Sequence, residues 1–353
     1  MGAGTAQRGA CLLISGKERK NMEFVVFAGV LLLLFIFMIV QELIQTKNQE
    51  KLFKKYLREN YGKEPPKEYS LERFARLGSY LERHKEEKQL DDITWNDLGM
   101  DEVFRRIDRT YSAAGEEYLY YTLRNISCGR EALEHLEEVV NWLQEQENIK
   151  VRIQLLMKRL GHLGKYSLYD YLDNLDYLGE RSNRKIVLGN LLYLPFLLLL
   201  FVQPAMGTIG IVLCMLWHIM TYFREKKVIE PYIISFAYVL RLIDVCEELE
   251  KQKIPVYRRE LDELREVLKS LRELRRGAYW VMAGNQGKIG GNPLDILADY
   301  LRMILHLDIF QFNRMLEKLR KKTGQVETML AITGYLDMAI SVGGFRKSLE
   351  GYC

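Results

Sequence analysis

No C-x-x-C pair occurs among the five cysteines, Cys11, Cys128, Cys214, Cys246 and Cys353. An odd number of widely spaced thiols in a chain of 353 residues gives no disulfide framework and fits a reducing compartment. Proline is scarce, at seven residues, and long charged stretches never alternate with apolar residues, which argues against a β-sandwich or barrel and for helices. The five histidines, His84, His135, His162, His218 and His306, form no H-E-x-x-H and are read as lacking partners at helical spacing, so each is expected to be a surface or satisfied side chain. A net charge of +4 is a weak pointer to nucleic acid. Neither a G-x-S-x-G elbow nor a G-x-G-x-x-G fingerprint is present. Residues 283–291 include Gly287-Lys288, but Met282 stands where a phosphate loop needs glycine and Ile289 where it needs Ser or Thr for magnesium. That stretch is read as a helix–helix connection, and the chain is expected to be no enzyme and to hold neither cofactor nor metal.

What is abundant is apolar sequence in two charge-free blocks. Phe24–Val40 contains no charge and is about 25 Å long as a helix at 1.5 Å per residue, just enough to span a membrane. No small-x-small cleavage site follows it, so 22–41 is read as an anchor rather than a signal peptide. Residues 186–223 contain no Asp, Glu, Lys or Arg and break at Gln203-Pro204-Ala205-Met206-Gly207, which predicts two short spans joined by a tight turn. Arg181, Arg184 and Lys185 precede this block and Arg224, Lys226 and Lys227 follow it, placing both its ends in the cytoplasm. The basic residues ahead of the anchor oppose that orientation unless the chain starts at Met22, so 1–21 is read as an upstream extension of the reading frame. The expected location is the inner or plasma membrane, multi-pass, with cytoplasmic soluble arms.

Those arms read as helices. Residues 42–89 form a helical linker, in which KNQEKLFKKYLREN either lies on anionic lipid or continues from the anchor with a solvated face. Leu133, Leu136, Val139, Val140 and Leu143 make a core stripe, and Asn148 is expected to cap the helix that follows. Pro231 is placed in the first turn of a helix to about Lys253. Leu261, Leu264, Leu268, Leu271 and Leu274 form a short seam, better explained by helix pairing within one subunit than by a dimeric coiled coil. Asn292-Pro293 opens a predicted helix to about Lys322, and Gly324 separates it from a last helix ending near Leu349.

One stretch is more specific. In residues 108–123, DRTYSAAGEEYLYYTL, Ser112 is suited to cap the following helix, Gly115 permits close backbone approach in its first turn, and Leu119 and Leu123 lie one helical step apart on a buried face. With Thr110, these residues resemble the start of the core domain of the MutS mismatch-repair ATPases, roughly N-R-T-x-T-x-x-G-x-x-x-L-x-x-x-L. Leu336-Asp337, in LDMAISV, resembles the family's segment leading from the returning lever helix towards the ATPase domain. The likeness covers about 90–180 and 225–353. It departs in three ways: Glu117 stands where the family has arginine, the proline that usually closes the first helix is missing, and the hairpin interrupts the core.

The resemblance is to membrane-anchored MutS-related proteins of bacteria, cut off before their ATPase. It implies an all-α chain with three transmembrane helices, an anchor plus a hairpin. A MutS-core-like segment would occupy 90–185, the hairpin 186–223, and lever-like long helices 224–353. It implies a non-catalytic module coupling DNA or partner binding to an ATPase domain, with ATP and Mg needed only where that domain is supplied. Partners would then be the membrane, DNA held weakly and non-specifically, and a separate ATPase polypeptide or a second copy. Arg272, Arg275, Arg276 and Lys321 are the candidate phosphate contacts, provided they share a face. The alternative is a membrane scaffold whose helical arms bind a protein partner without nucleic acid.

Overall fold

The computed structural model describes residues 36–41, 43–63, 69, 71–85, 88–126, 129–163, 167–275 and 293–349. Most of the anchor, the extension at 1–21, Arg276 and the glycine-rich stretch at 283–291 lie outside them. The chain divides into two units, Met1–Phe53 with Ile289–Leu297, and Lys54–Lys288 with Ala298–Cys353. In the first, the described residues are helical at 36–41, 43–53 and 293–297.

The second unit consists of helices joined by short non-helical segments, and its one β feature among the described residues is an isolated bridge between Gln89 and Asn125. From residue 71 onward the helices are α1 (Leu71–Arg83), α2 (Asp92–Asp97), α3 (Met100–Ile107), α4 (Ala113–Arg124), α5 (Arg130–Glu145), α6 (Glu147–Leu160), α7 (Leu168–Asp173), α8 (Arg184–Leu191), α9 (Tyr193–Val202), α10 (Pro204–Glu250), α11 (Arg258–Leu271), α12 (Pro293–Leu305, of which 293–297 belong to the first unit), α13 (Leu307–Arg320) and α14 (Thr323–Ser348). α14 is the central helix and packs against α4, α5, α6, α10 and α11. The two arms that flank the apolar block in sequence thus share one core, where Val139, Val140, Leu143, Ile153 and Met157 meet Leu242, Ile243, Leu264, Met329 and Leu336.

Three described helices are long and apolar enough to cross a membrane, Arg184–Val202, Pro204–Glu250 and Thr323–Ser348. Burial separates them. None of the apolar window of the first and 28% of that of the second is covered by protein, against 72% for the third. The apolarity of α14 is therefore satisfied by the core, whereas Leu188, Leu198, Phe201, Ile209, Leu213 and Met220 remain exposed on the hairpin.

Several expectations change. Pro231 does not start a helix: it lies inside α10, which runs unbroken for 47 residues, about 70 Å. The ring removes one backbone hydrogen bond, and the buried neighbours Ile229 and Ile233 hold the helix through that point. The hairpin turn is shorter than predicted, because Gln203 alone breaks the helix and Pro204 already occupies the first position of α10. Asn148 does not cap α6: its side-chain oxygen accepts from Arg58 at 3.0 Å, and Gln146 takes the flanking position without a side-chain cap. Leu133 drops out of the α5 stripe and is exposed, while Val139, Val140 and Leu143 are buried. The helix expected from 293 to 322 breaks at His306, whose φ of 54° closes α12 and reopens the chain as α13. Gly324 is inside α14; Lys321 and Lys322 make the separation.

Other readings agree with the structure. Leu261, Leu264, Leu271 and Leu274 are buried within the one chain, against α10 and α14. Leu57, in the basic stretch at 47–60, is also buried, and Lys150 sits 3.6 Å from the centre of the Tyr61 ring that follows it. The end of that stretch therefore docks on protein.

Candidate functional site

The segment from Asp108 to Ser112 connects α3 to α4 without forming a helix, so its backbone N–H groups need partners from elsewhere. α14 supplies them. The Asp337 carboxylate accepts from the backbone N–H of Tyr111 at 3.0 Å, from that of Ser112 at 2.8 Å and from the Ser112 hydroxyl at 2.6 Å. One turn further along α14, Ser341 accepts from the Arg109 N–H and donates to the Ile107 carbonyl, both at 2.7 Å. Ser112, Asp337 and Ser341 are all fully buried, so these bonds are shielded from competing water.

Ser112 has a second role, since its Oγ accepts from the Gly115 N–H at 3.1 Å and caps α4. Gly115 faces Asp337 so closely that a Cβ there would overlap its carboxylate. On the opposing helix, a Cβ at Gly334 would lie 2.6 Å from the Ala114 carbonyl. Two glycines thus let α4 and α14 meet backbone to backbone, which brings the short Asp337 side chain within reach. Thr110 is buried beside them and donates both its N–H and its hydroxyl to Asp108, at 2.9 and 2.6 Å. Leu119 and Leu336 are buried and Leu123 is half-buried.

A charged layer backs this joint. Glu116 is fully buried between Arg73 at 2.5 Å and Arg76 at 2.7 Å, with His162 at 3.5 Å. Tyr69 donates to Asp108 at 2.5 Å, and burial beside that carboxylate raises the phenol far above its ordinary range. Glu117 is buried too and accepts from Ser167 at 3.0 Å. Burial pushes its carboxyl up to about 8, so it carries its proton at neutral pH.

The sequence-selected residues Thr110, Ser112, Gly115, Leu336 and Asp337 therefore come together, with Leu119 and Leu123 on the adjoining face of α4. Two of the four basic candidates have described side chains. Arg272 is exposed on a single 3-10 turn at Arg272–Arg275, and Lys321 is exposed and paired with Glu317 at 3.1 Å. The Arg275 side chain and all of Arg276 lie outside the described residues.

Sequence reasoning missed Gly334, Ser341 and the Glu116–Arg73–Arg76 layer. Gly334, Asp337 and Ser341 recur at helical spacing, a small-and-polar stripe on an apolar helix that points to a close helix crossing. Cys214 and His218 were also passed over as a pair four residues apart. Both are buried, and the His218 ring nitrogen Nδ1 lies 2.9 Å from the Cys214 carbonyl.

The joint contains carboxylates and hydroxyls hydrogen-bonded to backbone groups of the connecting segment and to buried side chains around it. Its chemistry is that of a lock between distant chain segments. Among the described residues no three His, Cys, Asp or Glu side chains are grouped as a metal ion requires. Comparison of the chain with family models, curated proteins and solved structures gives no match.

Proposed function

We propose that the chain is a membrane-anchored coupling module of the MutS core and lever kind, non-catalytic as it stands. In this reading the cytoplasmic helices bind DNA weakly and transmit that binding to an ATPase domain, which brings the ATP and Mg; a separate ATPase polypeptide or a second copy is the partner. The membrane is the inner or plasma membrane, crossed by the anchor and the hairpin. The observation that carries the reading is the Asp337 joint. The two segments bearing the family resemblance are over 220 residues apart in sequence, yet one carboxylate binds both backbone N–H groups and the capping hydroxyl of the first. α10 supports the same reading, because a single helix passes from the exposed apolar hairpin into the centre of the core.

A scaffold that holds a protein partner is the second reading. It is favoured by the pairing of Lys321 with Glu317, which engages one of the four basic candidates with a neighbouring carboxylate.

The full chain in phosphatidylcholine nanodiscs, titrated with matched and mismatched duplex DNA at low and moderate salt, separates these readings. The coupling module is expected to bind both duplexes equally and to lose affinity steeply with salt, since phosphate contacts act through counterion release. No binding at low salt decides for the scaffold. A clear preference for mismatched duplex contradicts both.

A further inference from the structure

A basic cavity sits where the chain enters the apolar hairpin. Asn183, one residue before α8, donates to the Phe310 carbonyl at 3.0 Å and accepts from Asn313 at 2.9 Å. These bonds seat the first turns of α13 against the base of α8 and leave between them a cavity of about 570 Å³. Arg181, Arg314, Lys318 and Lys321 line it against a single carboxylate, Glu317. Arg181 reaches across to Glu225, just past the far end of the charge-free block, at 3.4 Å, so both ends of the hairpin meet at this level. The carbonyl oxygen of the Asn313 side chain is buried here without a hydrogen-bond partner.

We propose that this cavity binds the headgroup of an anionic phospholipid of the phosphatidylglycerol type, its phosphate held by Arg314 and Lys318 and a headgroup hydroxyl donated to Asn313. Cations that outnumber carboxylates suit a phosphate, and the waiting acceptor suits a hydroxyl, which a choline headgroup lacks. A lipid is favoured over a soluble anion by position. The lining residue Asn183 is followed directly by α8, whose Val187, Leu188 and Leu191 are exposed, so the cavity opens at the depth where headgroups lie. The inference rests on the hairpin being inserted in a membrane and is independent of DNA binding.

The test uses the full chain in nanodiscs of phosphatidylcholine mixed with phosphatidylglycerol, with lipid retained after release into detergent measured by native mass spectrometry. Phosphatidylglycerol is expected to be retained selectively. The double variant Arg314→Gln, Lys318→Gln is expected to weaken that binding about twenty-fivefold, the product of about fivefold for each cation near an anionic surface. Arg258→Gln, which removes an exposed arginine paired with Asp262 on α11, is expected to change nothing. Equal retention by the double variant, with its melting temperature unaltered, overturns the site. Inorganic phosphate or glycerol 3-phosphate binding the lipid-free chain as tightly as phosphatidylglycerol assigns the cavity to a soluble anion and also overturns it. Extraction of the chain from vesicles by alkaline carbonate removes the hairpin reading and the lipid site together, whereas an inserted chain with unselective lipid retention removes the site alone.

Discussion

At the scale of single residues, stability is concentrated where short side chains replace missing backbone partners. Asp337 accepts from three donors, two of them on buried Ser112, and hydrogen bonds to a charged group contribute about 1.5–3 kcal/mol each without adding in full. Asp337→Ala is therefore expected to cost roughly 3 kcal/mol or more, read from the melting temperature of the detergent-solubilised chain. A loss no larger than that of Leu133→Ala, an exposed leucine, would show the joint to be dispensable. Gly115→Val places new atoms against the same carboxylate and is expected to destabilise by roughly 1–3 kcal/mol through overpacking, beyond its lower helix propensity. An unchanged melting temperature would mean that α4 and α14 are not in close contact.

Glu117 gives the joint a pH dependence whose sign is fixed by its burial. Its carboxyl is raised from 4.5 to about 8 in the folded chain, so between those values the folded state keeps a proton that the unfolded state has lost. Stability from this group is complete below about 4.5 and is lost as pH rises through about 8. Glu117→Gln, which remains neutral, is expected to flatten the fall of the melting temperature between mildly acidic and mildly alkaline pH and to leave the variant the more stable at the alkaline end. A variant that kept the slope of the parent would locate the titration elsewhere.

At the scale of elements, the differences between sequence and structure have two causes. Local signals were legible: Ser112 caps α4 as its position before an apolar run indicates, four of the five leucines of the seam at 261–274 are buried, and the hairpin breaks at Gln203. Signals that tertiary contacts override were not. Asn148 is a good cap in isolation, but Arg58 takes its oxygen. Leu133 has the right spacing for the core, but the core ends before its turn. Pro231 marks a helix start by local chemistry, yet packing on both sides carries α10 through it. That last case is measurable. Pro231→Ala restores a backbone donor inside a helix, and the variant is expected to be more stable by about 1–3 kcal/mol, the part of the proline cost not absorbed by packing. A destabilised variant would mean that the proline shapes α10 in a way the core requires.

At the scale of the whole molecule, chain topology is the part least visible in the sequence. Nothing local to Ser112 announces a partner at Asp337, and only the fold shows that the arms on either side of the hairpin close into one core around α14. The expected membrane arrangement puts the turn at Gln203 on the face opposite the soluble helices. A cysteine introduced at Gln203 in a chain stripped of its own thiols is expected to react with an impermeant reagent only from outside; labelling from the cytoplasmic side would reverse the topology.

The coupling account stands or falls on whether the helices outside the hairpin engage DNA through phosphates. The most direct measurement is the salt dependence of duplex binding by the full chain and by a variant with Arg272, Arg275, Arg276 and Lys321 neutralised. The account expects weak binding whose logarithm falls linearly with the logarithm of salt concentration, and a slope reduced in magnitude by roughly 3 to 4 in the variant. No measurable binding by the parent chain at low salt, or a slope that the four substitutions leave unchanged, would contradict it.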